Sequence, residues 1–264
     1  MIQIDNTSAN DMFDGLSSKL MNYLVDDIYN EDSPVKIVVD NDAVFDIPMI
    51  KQVNYFLNIV SQNGLIKLTK IGNIPPAIVK DLYSQRFIVD EMIESKITKL
   101  TKETDSTSIE IVKIFCFLSG LIKKRNNSIS LTEAGIRHIN SPDLFLILFN
   151  AFLFKFNWAY FDSHEGEDIG KFAAGYTLYL LAKYGSVERD VNYYADLYFK
   201  AFPFLKNQTD AFGYNFDNSC YSYRTFNRFL LYFNFIENRS KTWRAERILT
   251  TDLFNRFIKL NCLS

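Results

Sequence analysis

The chain has 264 residues, with 48% hydrophobic and 23% charged positions, ordinary globular usage that excludes a disordered or low-complexity protein. At ~150 residues per domain it holds one or two domains with a sizeable core. The formal charge of -2 hides an asymmetry: residues 1–46 carry ten acids against Lys19 and Lys36, a net -8, whereas the segment from Cys220 onward carries eight bases against three acids, a net +5.

The first ten residues are polar and give no secretory leader, so a cytoplasmic location is expected. Met12, Phe13, Leu16, Leu20, Tyr23, Leu24 and Ile28 fall at helical spacing and predict an amphipathic helix. Val35 to Val39, bounded by Pro34 and Asp40, reads as a short strand or an extended linker. A helix from Ile50 to Val60 then runs into Gly64-Leu65-Ile66 and Leu68-Thr69-Lys70-Ile71-Gly72, and Pro75-Pro76 opens another helix to Tyr83. A helix from Ser108 to Leu118 runs into Gly120-Leu121-Ile122, a polar stretch from Lys123 to Ser128, and Leu131-Thr132-Glu133-Ala134-Gly135. Leu144 to Phe161 is apolar nearly all round but carries Asn150, Lys155 and Asn157, so it predicts a helix buried among helices and no membrane span. Helices over 169–183 and 191–202 follow, with Ala173, Ala174 and Gly175 small enough to admit a close neighbour. A last helix from Tyr221 to Phe233 leads to Phe235-Ile236, a polar stretch from Glu237 to Arg244, Leu249-Thr250 and a helix over 252–260.

Three segments thus share one order of parts: helix, strand, polar tip, strand, helix. Gly64 and Gly120 suit a left-handed helix terminus, and the threonine after each leucine caps the next helix through its side-chain oxygen. The pairs Gly-Leu-Ile and Leu-Thr-x-x-Gly at 64–72 and 120–135 resemble the winged-helix pattern common in bacterial regulators. The phrase Leu68-Thr69-Lys70-Ile71-Gly72-Asn73-Ile74-Pro75, with the later segments behind it, is similar to a poorly characterised group of bacterial hypothetical proteins, some of them plasmid-borne. The resemblance spans roughly 54–264 and implies a winged-helix fold with no established activity. The first copy has almost no wing between Ile66 and Leu68, and the third has Asn234 for the glycine and none after Leu-Thr. The expected architecture is mainly α with small β-hairpin wings, tandem winged-helix-like modules packed on a helical hub. Its divisions are an acidic N-terminal arm over 1–46, the tandem modules over 47–140, and the hub with a basic C-terminal module over 141–264.

Chemistry-bearing residues are sparse. His138 and His164 are the only histidines, and Asp162, His164, Glu165, Glu167 and Asp168 lack metal-ligand spacing and read as carboxylates at a helix start. Cys116, Cys220 and Cys262 read as reduced thiols. Nucleotide-binding and common hydrolase motifs are absent, so no enzyme, cofactor or metal is expected. The strongest constellation is the last module. Arg224, Asn227 and Arg228 share one helix face, a composition suited to base edges in a major groove, and Arg239, Lys241, Trp243, Arg244 and Arg247 form a basic tip for phosphate or a minor groove. Lys123, Lys124 and Arg125 repeat that tip more weakly, while Lys67 and Lys70 read as ordinary exposed charges. The expected partner is double-stranded DNA. The alternative is a protein-interaction scaffold whose winged-helix copies pack on each other and on the helical hub with no nucleic acid involved, and burial of Arg224, Asn227 and Arg228 discriminates between them. A structural role for Arg224 and Arg228, pairing with the acidic arm, stands beside the base-reading one.

Overall fold

Ser17 opens the first helix, its hydroxyl accepting the Leu20 amide at 3.3 Å, and α1 (Ser18–Asp26) follows. The helix expected from Met12 starts late because Asp14 and Gly15 both take positive φ and break the rise. The computed structural model describes residues 7–162, 164, 168–206, 216–242 and 244–261. They divide into two units, 39–156 and a second made from both chain ends, to residue 38 and from residue 157. The boundaries therefore fall at 38 and 156, where the sequence reading placed them at 46 and 140. Next comes β1 (Val35–Ile37), which pairs antiparallel with Ile258–Leu260 near the other end of the chain.

In the unit 39–156, Pro48 starts α2 (Pro48–Asn63), whose Ile50, Val53, Phe56, Leu57 and Val60 form a buried stripe. Gly64, at φ +66°, ends it, and β2 (Ile66–Lys67) follows. Then come α3 (Pro76–Ser84), α4 (Glu91–Glu94), α5 (Thr107–Leu118), β3 (Ile122–Arg125), β4 (Ser128–Leu131), α6 (Glu133–His138) and α7 (Leu144–Asn150). Helix α7 widens into a π turn over Ala151–Lys155. The sheet has the antiparallel order β2-β4-β3, with Ile66 opposite Ile129 and Lys124 opposite Ile129. This corrects the tandem reading. The first copy builds no hairpin of its own, because its strand is two residues long and finds its partner in the hairpin of the second copy. Thr69 caps no helix either; its hydroxyl accepts the Asn73 amide inside a tight turn.

The other unit continues with a 3-10 turn over Trp158–Phe161, α8 (Ala174–Tyr184), β5 (Arg189–Asp190), α9 (Val191–Ala201) and α10 (Asp217–Ser222). Helix α10 loosens to π geometry over Tyr223–Leu230. Then follow β6 (Ile236–Asn238), β7 (Arg247–Thr250), α11 (Asp252–Phe257) and β8 (Ile258–Leu260), the last a strand where the sequence predicts helix. Helix α8 starts later than expected because Gly170 and Ala173 have positive φ. Gly175 lies so close to α1 that a Cβ there would sit 2.4 Å from the Leu24 carbonyl oxygen. Trp158, Tyr176, Tyr194, Tyr198, Tyr221 and Phe226 are fully buried, with Tyr198 stacked on Tyr221 at 4.5 Å. This sheet has the order β5-β7-β6, matching the other unit.

One joint recurs in both units. Gly120 (φ +68°) and Asn234 (φ +54°) end the helix before the hairpin. The Leu121 amide donates to the Cys116 carbonyl and the Phe235 amide to that of Leu230, both at 2.8 Å. The Thr132 hydroxyl bonds the Gly120 carbonyl and accepts the Gly135 amide, while that of Thr251 bonds the Asn234 carbonyl and accepts the Phe254 amide. The capping residue of the C-terminal module is thus Thr251, one position beyond the expected Thr250, which lies in β7. The protein is mainly helical with small antiparallel sheets. Among the described residues no helix is long and apolar enough to cross a membrane.

Candidate nucleic-acid interface

Of the three residues assigned to a reading face, two are sealed inside the protein. Arg224 is 1% and Arg228 3% exposed. Arg224 binds Asp162 through both arms of its fork, Nε to Oδ2 at 3.0 Å and Nη2 to Oδ1 at 2.6 Å, and its Nη1 donates to the Ile169 carbonyl. The Arg228 Nη1 donates to the Trp158 carbonyl at 3.2 Å and to Asp162 Oδ2 at 3.3 Å, its Nη2 to the Phe161 carbonyl at 2.9 Å, and its guanidinium lies 4.3 Å from the Tyr223 ring centre. Burial alone would raise the Asp162 carboxyl, but the Arg224 hydrogen bonds and charge, the His164 amide and the Arg228 charge together hold it below the ordinary carboxylate range. Asn227 is half-buried and its Oδ1 accepts the Ala245 amide at 3.3 Å, tying helix to hairpin. A buried guanidinium already bound to a carboxylate cannot enter a groove, so the assignment of Arg224 and Arg228 to base contact is corrected to a structural one. Asp162, expected as one of several carboxylates at a helix start, instead binds two arginines, Arg224 and Arg228.

The tip of the C-terminal hairpin is exposed, but half of its charge is spent. Arg239 pairs with Glu237, and Arg247 pairs with Glu188. Lys241 and Arg244 are exposed, and Lys241 has no salt bridge among the described residues. Trp243 lies outside the described residues.

The hairpin of the unit 39–156 is chemically simpler. Asn126 and Asn127, both at positive φ, form its two-residue turn, and between Ile122 and Leu131 it carries no acid. Lys123, Lys124 and Arg125 are all exposed. Arg125 and Lys67 both stand opposite Ser128, and Lys123 opposite Ser130, so register places Lys67, Lys123 and Arg125 on one face of the sheet. On that face Lys123 and Arg125 are about 6.8 Å apart along the strand. Lys70 is exposed in the turn after β2, and Lys124 reaches toward Gly72, its Nζ 3.6 Å from where a Cβ there would stand. None of these five cations has a salt bridge among the described residues.

Lys67 and Lys70, read from the sequence as ordinary exposed charges, stand on and just after the strand that pairs with the second copy's hairpin. Nothing local marks them; the signal is strand pairing across some 60 residues, which brings β2 beside the second copy's hairpin. The helices that precede the two hairpins offer little to a groove. No residue of α5 is exposed, and along 217–230 only Ser219 is. The thiols of Cys116 and Cys220 are free and buried, and burial, the largest influence on it, pushes that of Cys220 up to about 12. Cys262 lies outside the described residues. No family model, curated protein or solved structure matches this chain.

Proposed function

We propose that the protein binds double-stranded DNA by its phosphate backbone, through the hairpins of two winged-helix-like modules, one in each unit, without reading bases through a helix. The order helix, strand, further helices (α3, α4 and α5 in one unit, α9 and α10 in the other) and a hairpin, with the first strand set beside the returning one, supports the winged-helix reading in both units. The observation that carries the binding reading is the set Lys67, Lys70, Lys123, Lys124 and Arg125, exposed and unaccompanied by carboxylates. Such a surface gains free energy on a polyanion because each phosphate contact releases condensed counterions. The roles of Lys241 and Arg244 are the same on the second hairpin, and Asn227 supports that hairpin from below. The reading needs no cofactor, metal or catalytic group.

The test is fluorescence anisotropy of a labelled duplex across a salt series. Seven phosphate contacts give a slope of log K against log salt of about -6.3, and the Lys123→Ala, Lys124→Ala, Arg125→Ala variant reduces it to about -3.6. A slope that the variant leaves unchanged sinks the assignment to this hairpin, and no binding at low salt sinks the function.

A second reading, a protein-interaction scaffold, is favoured by one observation. From Tyr83 to Lys102 no residue is buried, yet Val89, Met92 and Ile97 are exposed there and Phe87, Ile88, Ile93 and Leu100 are half-exposed. Absence of duplex binding, together with a cellular protein retained by the wild type and lost by the Val89→Ser, Met92→Ser, Ile97→Ser variant, selects it.

A further inference from the structure

The turn that links β2 to α3 carries the most exposed large apolar side chain among those described: Ile71 is 78% accessible. A lone exposed isoleucine is ordinary on a protein surface. This one differs in being held rigid. The Gly72 amide donates to the Thr69 carbonyl and the Thr69 amide to the Asn73 carbonyl, both at 2.9 Å, and the Thr69 hydroxyl accepts the Asn73 amide at 3.0 Å. Gly72 takes φ +84°, a conformation that keeps the turn tight and that side chains resist. From the hairpin, the Asn127 amide group clamps the turn by donating to the Leu68 and Thr69 carbonyls at 3.2 and 2.9 Å, and the Leu68 amide donates back to the Asn127 carbonyl. Ile71 is therefore presented on a frame that costs little further ordering when it is buried.

The surroundings decide what can bury it. Lys70 precedes it and Lys124 reaches the neighbouring Gly72, while Lys67, Lys123 and Arg125 lie on the other face of the sheet from Lys124. An apolar tip flanked by two lysines, Lys70 and Lys124, fits a surface whose polyanionic backbone flanks an apolar interior. Neither face of the β2-β4-β3 sheet carries an aromatic side chain on its strands, so there is no platform on which unpaired bases stack and the complementary form is duplex and not single-stranded. In a duplex, an isoleucine flanked by phosphate-bound lysines is suited to prise apart one base step from the minor groove and bend the helix.

We propose that the Thr69–Gly72 turn is a minor-groove wedge, with Ile71 entering a base step while Lys70 and Lys124 hold the flanking phosphates. The inference rests on the duplex-binding reading and adds to it the groove, the bend and the residue that makes it.

Two measurements on one duplex of about 25 base pairs separate it from that reading. End-to-end energy transfer between dyes on the two ends reports bending, and anisotropy across a salt series reports phosphate contact. The expected result is a rise in transfer with the wild type that Ile71→Ser abolishes, with affinity lowered about three- to tenfold and the salt slope unchanged. Ile71 is exposed, so the substitution leaves folding intact, and an unaltered circular dichroism spectrum and melt accompany the expected result. Wild-type binding with no change in transfer, or tighter binding to the single strand, overturns the wedge and leaves the phosphate reading standing. No binding to either form at low salt overturns both. Sedimentation with phosphatidylserine vesicles that depends on Ile71, without duplex bending, reassigns the tip to a lipid surface and overturns the wedge.

Discussion

The two units set the same strand order and the same helix–hairpin joint in opposite electrostatic settings. In the unit 39–156 the helix before the hairpin holds one cation, Lys113, on the buried Glu103, and the hairpin carries Lys123, Lys124 and Arg125 with no acid. In the other unit two arginines sit inside that helix on Asp162, and the hairpin's Arg239 and Arg247 each lie against a glutamate. Counting charges from Cys220 onward, a net +5, ranks the C-terminal hairpin as the polyanion-binding one. Locating them reverses the order, because a cation contributes to binding only when it is exposed and not already paired. Net charge over a segment is thus a poor guide to a surface unless the partner of each charge is known.

Asp162→Ala is the sharpest way to break the comparison. It strands two buried guanidinium groups and should cost about 3–5 kcal/mol in a urea melt, whereas the Lys123→Ala, Lys124→Ala, Arg125→Ala variant should change stability within about 0.5 kcal/mol per site. If Asp162→Ala melts like the wild type, the arginines are not held as described.

The recurring joint gives the next effect. A Cβ on Gly135 would meet the Leu121 carbonyl oxygen at 2.0 Å, so Gly135→Ala should cost about 1–3 kcal/mol. Gly120→Ala faces open space and bears only the left-handed backbone penalty, about 1 kcal/mol. Equal melts for the two variants would mean that α6 does not lie against the hairpin at that distance.

The pH dependence isolates the buried pair. The Asp162 carboxyl lies below its ordinary range in the folded protein, so its contribution is fully present above the unfolded aspartate value of about 4 and is lost as pH falls through the lower folded value. Stability measured below about pH 4 should therefore fall more steeply in the wild type than in Asp162→Asn. Parallel curves would remove Asp162 from the account.

The smallest effect is on reactivity. With Cys262→Ser in place, native protein should leave Cys116 and Cys220 unlabelled by a thiol reagent near neutral pH, and both should react once it is unfolded, since burial raises each thiol. Rapid labelling of the native form would mean that these cores open readily.

Several features were legible in the residues alone because their causes are local. Pro76 starts a helix, Gly64 and Gly120 end helices at positive φ, Thr132 caps α6, and the helix expected over Ile50 to Val60 forms within α2. These depend on backbone geometry and on hydrogen bonds within a few residues. Asp14, Gly15 and Ala173 interrupted predicted helices for the same kind of reason, yet only the glycine is a residue whose type announces it.

Pairing across long separations was decided by the tertiary structure. Repetition of a motif suggested two hairpins, but a two-residue strand at Ile66–Lys67 satisfies its backbone only beside β4, and that choice merged two expected modules into one sheet and brought Lys67 to Arg125. The fate of Arg224 and Arg228 was of the same kind. Their spacing determined that they share a helix face, and the sequence carried that much. Whether the face meets water or a carboxylate depended on Asp162, some 60 residues away, because a charge's exposure is set by what folds over it and not by its neighbours in the chain.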